Sequence, residues 1–148
     1  MDERRYLGID YGGRRIGVAV SDLTGTIART VDTLVVTSDD EAIGRLKSLV
    51  EEYRPAAIVI GLPLNLSGDE SELSDRVRQF AERVKKRFQV EVRFEDERLS
   101  SRLAENILHS QGKKIKGNKG KVDRISAAVI LQSFLDRRQA GKEFTDGE

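Results

Sequence analysis

Asp10, the acidic run Glu95-Asp96-Glu97 and Asp123 are the residues best placed to do chemistry. Each lies where an apolar segment begins or ends. Asp10 closes Tyr6-Leu7-Gly8-Ile9, the acidic run closes Val90–Phe94, and Asp123 opens the helical stretch Val122–Leu135. A charge at the edge of a hydrophobic core is expensive to leave unpaired, so it normally has a partner. Alone, Asp123 is merely a favourable acid at a helix N-terminus, and Asp10 a turn former. Together the acids form an all-oxygen donor set if two strand ends and a helix start converge, which requires the strands to be neighbours. Such a set suits Mg²⁺ or Mn²⁺, which accept few protein ligands and keep waters and phosphate oxygens. Two ions about 4 Å apart can activate a water and stabilise the leaving oxygen in phosphodiester cleavage. His109 is the only histidine. It follows Leu108 in a helical pattern and is not placed to act as a base.

A second feature leads directly into Asp123. Lys113, Lys114, Lys116, Lys119 and Lys121 fall within Gly112–Lys121, among three glycines, and no acid occurs between Glu105 and Asp123. Charge runs are usually solvated loops. Beside an acidic metal site, mobile lysines would hold a phosphate backbone. The loop contains no aromatic residue, so it offers no base stacking. Arg14, Arg15 and Arg98 can add contacts.

The elements that must position these residues are legible from periodicity. Tyr6–Asp10 and Arg15–Ser21 read as strands joined by the glycine turn Tyr11–Arg14, and Arg29–Val36 reads as a third strand. Ser38 with Glu41 signals a capping box. Ile43, Leu46, Leu49, Val50 and Tyr53 follow at helical spacing, and Pro55 stops that helix. Ala57–Leu62 is a continuous apolar strand, as expected when both sheet faces are covered. Leu73 to Phe88 reads as a helix and Val90–Glu95 as a fifth strand. Ser100 or Ser101 caps a helix carrying Leu103, Ala104, Ile107 and Leu108, and a last helix runs from about Val122 to Arg138. Asp123 shares a helix face with Ala127, Ile130 and Phe134, so it points at the sheet. A three-strand meander followed by helix-linked strands predicts an α/β, ribonuclease H-like fold. The expected sheet is mixed and five-stranded, in the order 3-2-1-4-5, with strand 2 antiparallel and helices on both faces.

Composition sets the frame. A chain of 148 residues with 34% charged residues and a net charge of +1 reads as one soluble domain, residues 1–138, with a polar, flexible tail at 139–148. The absence of cysteine removes disulfides and thiolate metal sites. No signal peptide or membrane span is evident, so a cytoplasmic location is expected.

Four motifs in order resemble the YqgF/RuvX family of pre-16S rRNA nucleases. They are Gly8–Gly12 with Arg15–Asp22, Gly61–Asn65 with Ser67-Gly68, Asp96–Ser101, and Lys121, Asp123, Ala127-Ala128, Ile130–Gln132 and Leu135. The resemblance spans nearly the whole chain. It implies a ribonuclease H-like fold related to the resolvase RuvC, a cytoplasmic protein and a role in trimming the 5′ end of the 16S rRNA precursor. Carried onto this chain, it implies Asp10, Glu97 and Asp123 as catalytic and metal-binding acids. Glu97 is preferred to Asp96 because a strand's period of two aims neighbours at opposite sides. Lys113, Lys114, Lys116, Lys119, Lys121 and Arg98 are the expected nucleic-acid contacts. The expected partners are an rRNA precursor or branched DNA, with ribosomal particles as a further one, for a monomer or homodimer. The alternatives are a Holliday-junction resolvase-like endonuclease and a non-catalytic ribosome-assembly factor. Gly8–Gly12 also resembles the phosphate-binding opening of actin- and sugar-kinase-like proteins, but those need two lobes.

Overall fold

The computed structural model describes residues 4–141, except 66, 99 and 115 and the side chains of Ser100 and Ser101. The elements are β1 (Tyr6–Tyr11), β2 (Arg15–Ser21), β3 (Ala28–Val35), α1 (Asp39–Tyr53), β4 (Ala57–Leu62), α2 (Glu72–Phe88), β5 (Glu91–Asp96), α3 (Ser100–Ser110) and α4 (Lys119–Gln139). The strands form one sheet in the order β3-β2-β1-β4-β5. β2 is antiparallel to β1 and β3, while β4 is parallel to β1 and β5. This is the expected ribonuclease H-like topology.

Alternation along the strands splits the core into two layers. Leu7, Ile9 and Tyr11 of β1, with Ile16, Val18, Val20, Ile58, Ile60 and Leu62, pack against α1 and α2. Tyr6, Ala19, Ala57 and Val59 face the other way, onto Ala127, Ile130, Leu131 and Phe134 of α4. Every residue of β4 is buried, as a strand covered on both faces must be. Residues on the α4 layer are mostly small, which lets that helix lie close to the sheet.

Local signals explain most boundaries. The Ser38 side chain accepts from Glu41 N, but the Glu41 carboxylate reaches Thr37 N at 3.0 Å rather than closing the expected box on Ser38. α1 ends at Arg54 in the left-handed region, φ 43°, just before Pro55, which disfavours a helical residue ahead of it. A capping box not expected from the sequence opens α2, where Ser71 and Ser74 exchange side-chain bonds to each other's backbone N–H.

Two expectations are corrected at α4. The helix begins at Lys119 rather than Val122, so Lys119 and Lys121 belong to its first turn. It also includes Gln139, whose amide donates to the Gly25 carbonyl at 3.3 Å instead of starting a loose tail. Residues 142–148 of the expected tail lie outside the described residues, as do the side chains of Ser100 and Ser101 proposed to cap α3. No described helix is long and apolar enough to cross a membrane.

Candidate active site

Two glycines determine how α4 meets the sheet. In the β1–β2 ladder Gly17 stands opposite Asp10. A Cβ on Gly17 would lie 1.9 Å from the Asp123 carbonyl oxygen, and one on Gly8 would lie 2.7 Å from Leu131 Cβ. The second turn of α4 therefore rests directly on the β2 backbone. That close approach brings Asp123 beside Asp10, near enough for its charge to help raise the Asp10 pKa.

Glu97 arrives from the opposite side. Asp10 lies on β1 and the acidic run on β5, and β4 lies between them, as in the expected order, so the acids meet without their strands being neighbours. A third glycine bridges the gap. Gly61 pairs with Glu95 in the β4–β5 register. A Cβ at Gly61 would stand 2.8 Å from Glu97 Cδ and 2.9 Å from its Oε2. The Glu97 N–H donates to the Leu62 carbonyl at 3.2 Å, extending the parallel pairing beyond the end of β5. Its carboxyl crosses β4 at the glycine and hydrogen-bonds Asp10. A hydrogen bond between two carboxyl groups needs a proton on one of them. Burial is the largest influence on Asp10 and pushes its pKa up; the bond from Glu97 opposes this and the Asp123 charge adds to it.

The third acid is engaged differently. Arg15 Nε lies 2.7 Å from Asp123 Oδ2, with both side chains partly exposed. The acids thus lie in two parts, an Asp10–Glu97 pair and an adjacent Asp123 held by an arginine. Among the described residues, no group of three or more His, Cys, Asp or Glu side chains is arranged ready to hold a metal ion.

The acidic run is sorted by the pleat. Glu95, on the α4 face, is fully buried. It accepts from Ser133 Oγ at 2.5 Å and pairs with Arg137 Nε at 3.1 Å, while its Oε1 has no hydrogen-bond partner. Burial is the main cause of its raised pKa. Asp96 turns to the opposite face, where Arg98 NH2 lies 2.6 Å from its Oδ2. Glu97 alone of the three meets Asp10, as the two-residue period anticipates. The roles of Glu95 with Ser133 and Arg137, and of Gly17 and Gly61, were missed from sequence. Glycine recurrence in three strands was the available signal.

The basic residues divide as well. Lys113, Lys114 and Lys116 are exposed in the α3–α4 connection, and Lys119 is exposed in the first turn of α4. The Lys113 and Lys121 amines come within hydrogen-bonding reach, which lowers the Lys121 pKa, and Arg124 adds to the effect. A cavity of about 280 Å³ beside them is lined by Thr30, Leu108, Gln111, Lys121, Arg124 and Ile125. Arg124, not singled out from sequence, follows Lys121 by three residues and so shares its helix side. Arg98 differs from the lysines in being clamped to Asp96. His109 is exposed in the last turn of α3.

A sheet in this order, with carboxylates gathered at one end beneath the last helix, defines a ribonuclease H-like domain. RuvC of Thermus thermophilus superposes with a TM-score of 0.55 at 15% identity, over 92% of this chain and 96% of that one. The yeast mitochondrial Holliday junction resolvase Ydc2 superposes with a TM-score of 0.56 at 14% identity, over 94% and 80%. At these identities the likeness is one of fold. The chain belongs to the RuvX Holliday junction resolvase family, which matches residues 4–137. A relative in Lactococcus lactis subsp. cremoris, provisionally named a pre-16S rRNA nuclease, is 38% identical over 89% of this chain and 94% of its own length. A Sulfurihydrogenibium relative of the same name is 40% identical over 96% and 97%.

Proposed function

We propose that this protein is a cytoplasmic, metal-dependent nuclease that hydrolyses phosphodiester bonds in 5′-end maturation of the 16S rRNA precursor. The observation that carries the proposal is the Asp10–Glu97 pair with Asp123 beside it. Two carboxyls this close at a partly desolvated site repel each other when both are ionised, which favours a divalent ion between them. The donor set is all oxygen, which suits Mg²⁺ or Mn²⁺. Asp10, Glu97 and Asp123 would hold the ion or ion pair, with Asp123 released from Arg15. A bound divalent ion supplies the charge that makes a water nucleophilic at neutral pH and offsets charge on the leaving oxygen.

The chain's own residues do the rest. Gly17 and Gly61 fix the spacing of the acids. Lys113, Lys121 and Arg124, none with a carboxylate partner among the described residues, hold the substrate backbone. Lys114, Lys116 and Lys119 add electrostatic attraction without base readout. The names of the relatives support rRNA as substrate. The family description favours a second reading, cleavage of branched DNA.

The test offers the purified protein a 5′-extended 16S precursor and a four-way DNA junction, each in Mg²⁺, Mn²⁺ and EDTA. Precursor cleavage that EDTA and Asp10→Asn abolish is the expected result. Junction cleavage alone selects the second reading. A folded protein that cuts neither substrate refutes the nuclease assignment.

A further inference from the structure

We infer that Arg15 is a substrate-phosphate ligand held in reserve, standing in for a cation at Asp123 until the acids take a divalent ion. The role rests on the cation site proposed above. Among the described residues, Arg15 is the only hydrogen-bond partner of the Asp123 carboxylate, and Asp123 is the only side chain that Arg15 engages. The contact uses Asp123 Oδ2 at 2.7 Å. An ion coordinated at that oxygen and the guanidinium cannot occupy the same space.

The surroundings allow the exchange. Arg15 is the first residue of β2 and shares a face with Gly17. Because Asp123 O abuts Gly17, the backbones beneath both charged groups are fixed, and only the side chains need to move. The Arg15 side chain is 37% exposed, so its head can leave the pair without crossing the core. A divalent ion competes with a monovalent guanidinium for the same carboxylate at a Coulombic advantage. Once displaced, Arg15 stands at the edge of the acid cluster, where a phosphodiester bound to the ion must lie. Its planar fork matches two phosphate oxygens. Arg15 would thereby couple ion occupancy to substrate binding: the residue that protects the acids from self-repulsion when they are empty grips the substrate when they are loaded.

The experiment measures Mn²⁺ affinity by electron paramagnetic resonance of free Mn²⁺, without substrate, for the wild type, Arg15→Gln and Arg15→Lys. Binding of a single strand is then measured in Ca²⁺ by fluorescence anisotropy. Arg15→Gln is expected to bind Mn²⁺ about three- to ten-fold more tightly and the strand more weakly by a similar factor. Arg15→Lys is expected to fall between. Loss of structure would weaken both, so the opposite signs identify the exchange. A measurement on the wild type avoids mutation: the Arg15 Nε–H resonance should lose its ion-paired shift as Mg²⁺ saturates the protein. Mn²⁺ affinity unchanged or weakened in Arg15→Gln, or an Arg15 resonance indifferent to Mg²⁺, overturns the role of Arg15 alone. A wild type that takes up no Mn²⁺ overturns both that role and the cation site.

Discussion

Glu97 meets Asp10 by passing over Gly61, its Cδ 2.8 Å from where a Gly61 Cβ would stand. The other atoms near that point are Ile130 Cδ1 at 2.6 Å and Glu97 Oε2 at 2.9 Å. All three are far ends of side chains and can yield. Gly61→Ala is therefore expected to fold, with a melting temperature within a few degrees of wild type, while displacing Glu97. A misplacement of this size can reduce turnover by about 10²-fold. Precursor cleavage rates and thermal melts measured together check the separation, and wild-type turnover would refute it.

Gly17→Ala should behave in the opposite way. Here the obstruction is the Asp123 carbonyl at 1.9 Å, in backbone that cannot swing aside. Either α4 lifts or β2 bends. Overpacking of this kind costs about 1–3 kcal/mol or more, to be read as a lowered urea midpoint. If Gly17→Ala unfolds like wild type, α4 is not seated on β2 as described.

Asp10 sets a pH dependence of stability in the ion-free protein. Its folded pKa is raised above the ordinary 3.8, chiefly by burial. A carboxyl of this kind favours the fold most below its unfolded pKa, and the benefit is lost as pH rises through the folded value. Asp10→Asn should remove that part of the profile and leave the ion-free protein no less stable at neutral pH. Adding Mn²⁺ at about 100 times its dissociation constant should stabilise the wild type by about 2.7 kcal/mol and leave Asp10→Asn nearly unmoved. Urea titrations with and without Mn²⁺ across the pH range read both effects.

Ser133 supports a buried carboxyl group. Its hydroxyl donates to Glu95 Oε2 at 2.5 Å, and Glu95 Oε1 already lacks a partner. Ser133→Ala is expected to cost about 1–3 kcal/mol, the penalty for removing a partner from a buried polar group. Equilibrium unfolding measures it, and cleavage per folded molecule should change little because Glu95 does not reach Asp10.

The basic cluster predicts a salt effect. Replacing Lys113, Lys121 or Arg124 with Gln should weaken strand binding almost equally for all sequences. Each removed phosphate contact should reduce the slope of log K against log salt by about 1. An unchanged slope in the triple variant would exclude the cluster from the interface.

Helix count and the apolar faces were legible because they follow from periods of two and 3.6, which local sequence carries, and strand order because a meander followed by helix-linked strands has few ways to connect. Asp10 and Asp123 stood out because a charge at the edge of a core is rare. The choice of Glu97 over Asp96 needed only the pleat. The rest was hidden in residues without side chains. Gly17 and Gly61 determine which acids meet, yet a glycine in a strand gives no hint of what lies above it. The Arg15–Asp123 pair was likewise hidden, because it joins positions 108 residues apart.

That separation has a temporal consequence. β1 and β2, which supply Asp10 and Arg15, leave the ribosome before α4, which supplies Asp123. A partly synthesised chain can hold Asp10 without its distant companions. The proposed site is thus incomplete in a growing polypeptide until α4 has been made.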